Sequence, residues 1–350
     1  MNYLEIIIIF LSILFKYLVS FEIKKSILYL LIAFICFLIL LDLKNLKILK
    51  KELIRISIFL CIALFFVIFQ QDVNFLISLI FAIIIMKNQD KDFIKIFFFS
   101  SIILYLFTIV LYLLEVRPDN VMIRYVEGII QKRYSLGFSH PNEVFLFYLP
   151  IVLSGYYLFS NKKIYYIIML LASCILYKLS LCRTGFYTVL IFLILSKIYP
   201  IKKIAKSNIF VIKNIIFIFT IISLLVAYLF GNELNNTISS LLSGRPYYWN
   251  YYLNHNLMFT LLGKNKVEGY YLDNFYIYLL VQLGIIGTYI YHKINKKSIE
   301  KMITNRKYII ILLTFLIYGL TEANVIIGSI NFIFAIQLKS LLVYEKEELK

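Results

Sequence analysis

The sequence is poor in the residues from which soluble domains and metal sites are built. Charged residues make up 16% of its 350 positions, against roughly 25% in an average soluble protein. It has 4 cysteines, 3 histidines, 5 prolines and a single tryptophan. No two cysteines form a Cys-x-x-Cys pair, which argues against a zinc site and against a disulfide framework. The shortage of charge excludes a soluble domain of ordinary size.

Apolar residues are abundant instead. They make up 62% of the chain, the mean hydropathy is +0.86, and long apolar runs recur from one end to the other. The first run, Leu4 to Ser20, has no small-residue cleavage site and is followed by another run, so we expect a retained span. The net charge of +17 would indicate nucleic acid on a soluble protein. Here the basic residues lie between apolar runs, which excludes nucleic acid as a partner and indicates the lipid bilayer.

The length of the apolar runs predicts the fold class. A helix needs about 17–25 mainly apolar residues to cross the hydrocarbon, so we predict an all-α polytopic membrane protein with about twelve transmembrane helices. Residues 1–350 then form a single integral membrane domain. Gly284, Gly287 and Gly328 suit close helix packing. The predicted spans are 3–21, 26–41, 53–70, 73–87, 93–114, 141–159, 164–181, 184–199, 208–230, 271–291, 307–321 and 324–342.

The basic residues between the runs predict the orientation. If both termini are cytoplasmic, every inner gap is rich in lysine, as the positive-inside rule requires. The two long gaps, 115–139 and 231–270, then both lie outside. Long loops on a rigid scaffold commonly carry the chemistry of a protein. Functional residues are therefore expected at the outer ends of the helices.

The first long loop ends in a motif that runs from Arg133 to Asn142. Pro141 suits the first turn of a helix, which places His140 at a helix N-terminus. A neutral imidazole there could accept a proton. The alternative is that His140 and Asn142 merely cap the helix.

Two further arginines lie at predicted outer positions. Arg183 follows Cys182 in a short turn, and either snorkels to the interface or binds a ligand. Arg245 precedes Pro246, so it should stand beside a helix N-terminus, where a guanidinium suits phosphate or pyrophosphate. Tyr248 and Trp249 follow closely, although an interfacial aromatic belt would explain them as well.

Two carboxylates complete the polar residues of this face. Asp273, followed by Asn274, is predicted to begin the tenth span, and capping alone could explain it. Glu322 ends the eleventh span, as an end residue or as a carboxylate that faces a cavity. Because nearly all the distinctive polar residues fall on one predicted side, we expect an anionic substrate presented from the outer leaflet.

At these residues the sequence resembles a known family. The stretch Arg133 to Asn142 is similar to the signature of bacterial polysaccharide repeat-unit polymerases of the Wzy type. The stretch Ser243 to Trp249 resembles the wider superfamily of O-antigen polymerases and ligases. Leu272-Asp273-Asn274 resembles the segment after the large loop of that superfamily, and Arg183-Thr184-Gly185 resembles its Ser-Arg-Thr-Gly, with Cys182 in place of serine.

The resemblance implies a fold and a reaction. It implies a type-C glycosyltransferase fold in the plasma membrane and the growth of capsular or exopolysaccharide from undecaprenyl-pyrophosphate-linked oligosaccharide, without metal or cofactor. A flippase and a chain-length regulator would be partners. The expected catalytic residues are Arg245 and Arg183, which stabilise the leaving group, and His140 as base. The expected substrate-binding residues are Arg133, Asn142, Tyr248, Trp249, Asp273, Asn274 and Glu322.

Two alternatives remain open at this stage. An O-antigen or teichoic-type ligase would transfer the glycan to a different acceptor, and its sequence would look much the same. A lipid-linked oligosaccharide flippase or secondary transporter should instead carry charged residues deep in its spans and often shows repeat symmetry.

Overall fold

A computed structural model describes residues 1–43, 49–70, 72–126, 129–198, 206–232, 242, 244–255, 260–263, 272–323 and 327–343. Several predicted features lie outside these residues: the basic gaps at 44–48 and 199–205, most of loop 231–270, Ser243 and the tail 344–350. The chain divides into two compact units. Unit 1 comprises Met1–Ile48 with Ile83–Ile198, and unit 2 comprises Leu49–Ala82 with Tyr199–Lys350.

Helices dominate the described residues. In chain order the elements are α1 (Tyr3–Ser20), α2 (Lys25–Leu43), α3 (Lys50–Gln70), α4 (Asn74–Lys87), α5 (Asp90–Leu113), β1 (Met122–Val126), β2 (Ile129–Arg133), α6 (Pro141–Phe159), α7 (Lys163–Ser180), α8 (Arg183–Ile198), α9 (Lys206–Lys213), α10 (Ile215–Phe230), α11 (Arg245–His255), α12 (Phe275–Met302), α13 (Arg306–Tyr318) and α14 (Phe332–Leu342).

Several of these helices can span a membrane. Within the described residues, 7 are long and apolar enough: α1, α2, α3, α5, α6, α7 and α12. Only 11% of the apolar stretch of α3 is buried inside the protein, and only 22% of that of α2. Apolar faces of that size are stable against lipid rather than water. The chain is therefore a helical membrane-embedded protein.

The predicted spans correspond to helices, but several are shorter than predicted. The shorter apolar helices are α4, α10 and α14. The predicted span 208–230 divides at Asn214 into α9 and α10. The last helix begins at Phe332, since residues 328–330 form a turn, and the first residues of the predicted span 324–342, 324–326, lie outside the described residues. Seven spans are therefore shown by length and composition, and the full set of twelve stays a prediction.

The first long loop contains strands that the all-α prediction did not include. β1 and β2 form an antiparallel hairpin in which Met122 pairs with Arg133 and Val126 pairs with Ile129. β1 contains isoleucine, tyrosine and valine and β2 begins with two isoleucines, and these residue types favour extended backbone. Asp119 fixes the approach to the hairpin by accepting hydrogen bonds from the backbone N–H and hydroxyl of Ser135, at 2.7 and 2.9 Å.

Helix α12 is interrupted by a π-helical turn at Leu279–Leu283, which ends at Gly284. Gly284 has a φ of +70°, and a side chain there would overlap the backbone of Gly263. The backbone N–H groups of Ile285 and Ile286 donate to the carbonyls of Thr260 and Leu261, at 3.2 and 3.1 Å. The close approach predicted for this glycine is therefore confirmed, although its neighbour is a loop segment rather than a helix.

Contacts between helix ends agree with the predicted alternation of the loops. In unit 1, Asp42 at the end of α2 pairs with Lys87 at the end of α4, and accepts from Asn2 before α1. At the opposite ends, the Ser20 hydroxyl donates to the Glu143 carboxylate. Which face is cytoplasmic stays a prediction.

Candidate functional site

Unit 1 gathers the residues of the first predicted motif around Arg133. This side chain, at the end of β2, donates from Nη2 to Oδ1 of Asn142 at 2.8 Å and from Nε to the carbonyl of Ser180 at 3.1 Å. Beside it, the backbone N–H of Tyr134 donates to the carbonyl of Leu179 at 3.1 Å. Arg133 thus attaches the hairpin to the start of α6 and the end of α7. These contacts give Arg133 and Asn142 a structural role, which the sequence indicated only for Asn142, as a cap.

His140 is the N-cap of α6. Its Nδ1 accepts a hydrogen bond from the backbone N–H of Asn142 at 3.0 Å, and Pro141 occupies the first helical position, as predicted. A neutral imidazole that accepts at Nδ1 carries its proton on Nε2. The lone pair that a base would need is therefore already in use, and His140 can act as a base only if the cap opens. Of the two interpretations of His140, capping is the one that the geometry shows.

The turn between α7 and α8 presents Arg183. Leu181 ends α7 with a left-handed φ of 48°, and Arg183 is the first residue of α8. Gly185 lets α8 approach α6 closely, since a Cβ there would overlap the side chain of Phe145. Arg183 is partly exposed, and within the described chain its guanidinium has no hydrogen-bond or ion-pair partner. It is thus a cation at a helix start that protein groups leave available.

Unit 2 brings Arg245, Asp273 and Glu322 together, and we call these three residues the Arg245 cluster. Gly244, with a φ of +76°, turns the chain into α11, of which Arg245 is the first residue. Arg245 Nε lies 3.3 Å from Asp273 Oδ2, and Nη2 lies 3.2 Å from Glu322 Oε1. The side-chain exposures are 10% for Arg245, 6% for Glu322 and 33% for Asp273. The guanidinium is therefore enclosed between one buried and one accessible carboxylate.

The charge of this cluster differs from what the sequence predicts. Arg245 is predicted to stand at a helix N-terminus as a guanidinium that suits phosphate, but one guanidinium faces two carboxylates, so the ionised cluster is net negative. Packing around Asp273 raises the pKa of its carboxyl above the ordinary value even though a third of the side chain is exposed, and the Arg245 guanidinium opposes this rise. The raised pKa makes Asp273 easier to protonate than an ordinary aspartate.

Asn274, rather than Asp273, caps α12. Its Oδ1 accepts from the backbone N–H groups of Tyr276 and Ile277, at 2.9 and 3.0 Å. Its Nδ2 donates to the Ser223 hydroxyl at 3.0 Å and to the Leu320 carbonyl at 2.9 Å. The side chain is fully buried and joins α10, α12 and the end of α13. Asn274 therefore holds Asp273 in place, and a substrate could reach it only by breaking the cap.

Trp249 is part of the core rather than of an interfacial belt. It is 3% exposed and lies in an apolar cluster with Ala227, Tyr252 and Leu272. Its indole Nε1 has no hydrogen-bond partner among the described residues. Tyr248, one position earlier on α11, is partly exposed and is the better placed of the two to contact a substrate.

Sequence reasoning missed Asp72, which precedes α4 in unit 2. Its Oδ1 accepts from the backbone N–H of Asn74 at 2.8 Å, and its Oδ2 accepts from the Tyr278 hydroxyl at 3.2 Å. An aspartate two residues before a helix start is a recognisable turn signal, so the first contact could have been predicted. The hydrogen bond from Tyr278 joins residues 206 positions apart, so no local sequence pattern predicts it.

Comparison with known proteins identifies no relative, since no protein-family model, curated protein or solved structure matches the chain. Among the described residues there is also no group of three or more His, Cys, Asp or Glu side chains that could hold a metal ion.

Proposed function

We propose that the chain is a glycosyltransferase that polymerises undecaprenyl-pyrophosphate-linked oligosaccharide repeat units into capsular or exopolysaccharide at the outer face of the plasma membrane. The proposal rests on the motif resemblance given above and on the membrane-embedded helices. It also rests on the chemistry of two arginines. The reaction moves a growing glycan from its lipid pyrophosphate to a hydroxyl of the next repeat unit, so its main electrostatic demand is an anion that leaves.

The observation that carries the proposal is the position of Arg183 and Arg245. Each is the first residue of a helix, α8 in unit 1 and α11 in unit 2. A helix N-terminus favours anions, and a guanidinium can bind two phosphate oxygens at once. An arginine at a helix start is therefore suited to a pyrophosphate, and Arg183 in unit 1 and Arg245 in unit 2 both have this position on the predicted outer side.

The two arginines differ in how readily they can act. Arg183 lacks a protein partner among the described residues, so it can bind an anion without first breaking an ion pair. Arg245 is enclosed by the two carboxylates of its cluster. We propose that a guanidinium at a helix start stabilises the charge that develops on the pyrophosphate as the sugar bond breaks, and Arg183 and Arg245 are the two candidates for this role. Removing one preorganised stabiliser of this kind typically costs about 10²–10³ in rate.

The placement of buried charge favours an enzyme over a transporter. A transporter of charged lipid should carry ionisable residues deep in its spans. Of the described buried Asp, Glu, Lys and Arg residues, Glu5, Asp42 and Asp72 lie at or near helix ends, while Arg245 and Glu322 lie in the Arg245 cluster. None of these five residues lies in the middle of a spanning helix.

The direct test uses purified protein in lipid vesicles with a synthetic undecaprenyl-pyrophosphate-linked oligosaccharide. We expect a glycan ladder from the wild type and a loss of about 100-fold or more from Arg183→Ala. Lys25→Ala is the matched control, because Lys25 is also a cation at the start of a helix in unit 1 but is exposed. If the wild type makes no glycan, or if Arg183→Ala makes as much as Lys25→Ala, the proposal fails.

A cellular experiment separates the alternatives. In a strain without this protein, we expect single repeat units on lipid to accumulate in the outer leaflet. Accumulation in the inner leaflet would instead identify a flippase. Normal polymer that is not transferred to its final acceptor would identify a ligase.

A further inference from the structure

The Arg245 cluster as it stands cannot accept a pyrophosphate. Two carboxylates lie against the guanidinium, Asp273 at 3.3 Å and Glu322 at 3.2 Å. An anionic donor placed beside Arg245 would meet both of them, and like charges at this distance repel strongly in a poorly hydrated site. For Arg245 to bind the donor, one carboxylate must move away or take up a proton.

The exposure of the two carboxylates decides which one is released. Glu322 is 6% exposed, so it would give up its contact with Arg245 without gaining contact with water in return. Asp273 is 33% exposed, and among the described residues Arg245 is its only polar partner. Released from Arg245, it can be hydrated at once. Its position is nevertheless fixed, since the neighbouring Asn274 is fully buried as the cap of α12.

We propose that Asp273 is the catalytic base of the proposed glycosyl transfer: the donor pyrophosphate displaces it from Arg245, and the freed carboxylate takes the proton of the acceptor hydroxyl. This inference rests on the proposed function. It assigns Glu322 the separate task of holding Arg245 in position, because its carboxylate stays buried against Nη2.

The step balances in atoms and charge. The acceptor O–H bond breaks, its oxygen forms a bond to the anomeric carbon of the donor glycan, and its proton passes to the Asp273 carboxylate. The bond from the anomeric carbon to the pyrophosphate oxygen breaks, and the lipid pyrophosphate leaves with the electron pair. Asp273 later gives its proton to water through its exposed third. Asp273 thus takes the proton of the acceptor hydroxyl, and its neighbour Arg245 stabilises the leaving pyrophosphate.

Two further observations support Asp273 over His140. The Nδ1 lone pair of His140 is taken by the cap of α6. Burial raises the pKa of Asp273, while the Arg245 guanidinium opposes the rise. A base works best when its pKa lies near the working pH, so an aspartate with a raised pKa is better suited to the role than an ordinary aspartate. Among the described residues, the charged groups that face Asp273 are Arg245 directly and Glu322 through Arg245.

The experiment compares Asp273→Asn with wild type in vesicles, using the same synthetic donor lipid. Donor binding is measured by fluorescence titration, and transfer is measured by glycan formation at saturating donor from pH 4 to 9. Glu115→Gln is the control for a carboxylate-to-amide change, because Glu115 is exposed in the first predicted outer loop. Thermal unfolding in detergent is recorded for each variant. Asp273→Ser replaces Asp273→Asn if the amide lowers the melting temperature.

We expect Asp273→Asn to bind the donor at least as tightly as wild type, because Arg245 loses a competing carboxylate. Its transfer rate should fall by about 10²–10⁴, and the acid limb of the rate profile should disappear. A folded variant with a transfer rate within about threefold of wild type would overturn the inference, and so would a variant that loses donor binding together with transfer. Failure of the wild type itself to transfer glycan would instead count against the proposed function.

Discussion

Arg245 and Glu322 should be strongly coupled in stability. Their N and O atoms are 3.2 Å apart, and the side chains are 10% and 6% exposed. At an effective dielectric constant of about 20, two unit charges at this distance attract by about 5 kcal/mol. Removing only the cation leaves the Glu322 carboxylate buried without its Arg245 partner, and breaking a buried ion pair in this way typically costs about 3–5 kcal/mol. We therefore expect Arg245→Met to lose about that much free energy of unfolding.

A double-mutant cycle isolates the interaction. The free energy of unfolding is measured in detergent micelles for wild type, Arg245→Met, Glu322→Gln and the double variant. We expect the double variant to be more stable than the sum of the single losses predicts, by about 2 kcal/mol or more, because no buried charge is left alone. Arg183→Met is the matched control, since Arg183 has no carboxylate partner in the described chain, and it should change stability by about 0.5 kcal/mol or less.

Two results would refute this reasoning. The first is additivity of the two single losses to within about 0.5 kcal/mol, which would mean that the pair does not interact in the folded protein. The second is an equal loss from Arg183→Met and Arg245→Met, which would attribute both effects to shortened side chains. The cycle also bears on activity tests, because a failed Arg245→Ala enzyme is informative only where the loss of stability has been measured.

Three further predictions concern unit 1. Gly185→Val should lower the melting temperature markedly, because its Cβ would overlap the side chain of Phe145; unchanged melting would contradict the close packing of α8 on α6. His140→Asn should preserve both melting and the glycan ladder because asparagine can cap, whereas His140→Ala should lose about 1 kcal/mol; loss of glycan in a stable His140→Asn protein would restore the base role. In a background without the 4 native cysteines, a cysteine at the exposed Ile130 should react from outside, and one at Lys162 only after permeabilisation.

The helices and their starting points could largely be predicted from the sequence. Apolar runs give the spans because the hydrocarbon fixes a minimum length for a crossing helix. Pro141 marks the start of α6 because a missing backbone N–H costs nothing in the first turn. The start of α11 was located through Pro246 for the same reason, with Arg245 one residue earlier. These features are local, so a short stretch of sequence is enough to specify them.

Other parts of the fold depend on contacts that hydropathy does not record. The hairpin β1–β2 lies in a loop that was identified only by its lack of a long apolar run, and the two strands pair with each other. Just after the π-helical turn of α12, backbone N–H groups donate to the carbonyls of Thr260 and Leu261, which lie in a separate segment. Because Gly284 suits both close helix packing and a loop contact, the glycine alone could not decide between them.

The candidate site shows the same division between residue type and pairing. The sequence pattern placed most of the distinctive polar residues at one predicted face, and each of them was a possible contact for the substrate. In a poorly hydrated region, however, a polar side chain is stable only if another group satisfies it first. Arg133 is satisfied by Asn142 and Ser180, and Asn274 by the backbone it caps. Arg183 is the exception, since no group within the described part of the chain pairs with its guanidinium. A cation left available at a helix start is where an anionic substrate can bind without displacing a protein partner, and the test of function therefore begins there.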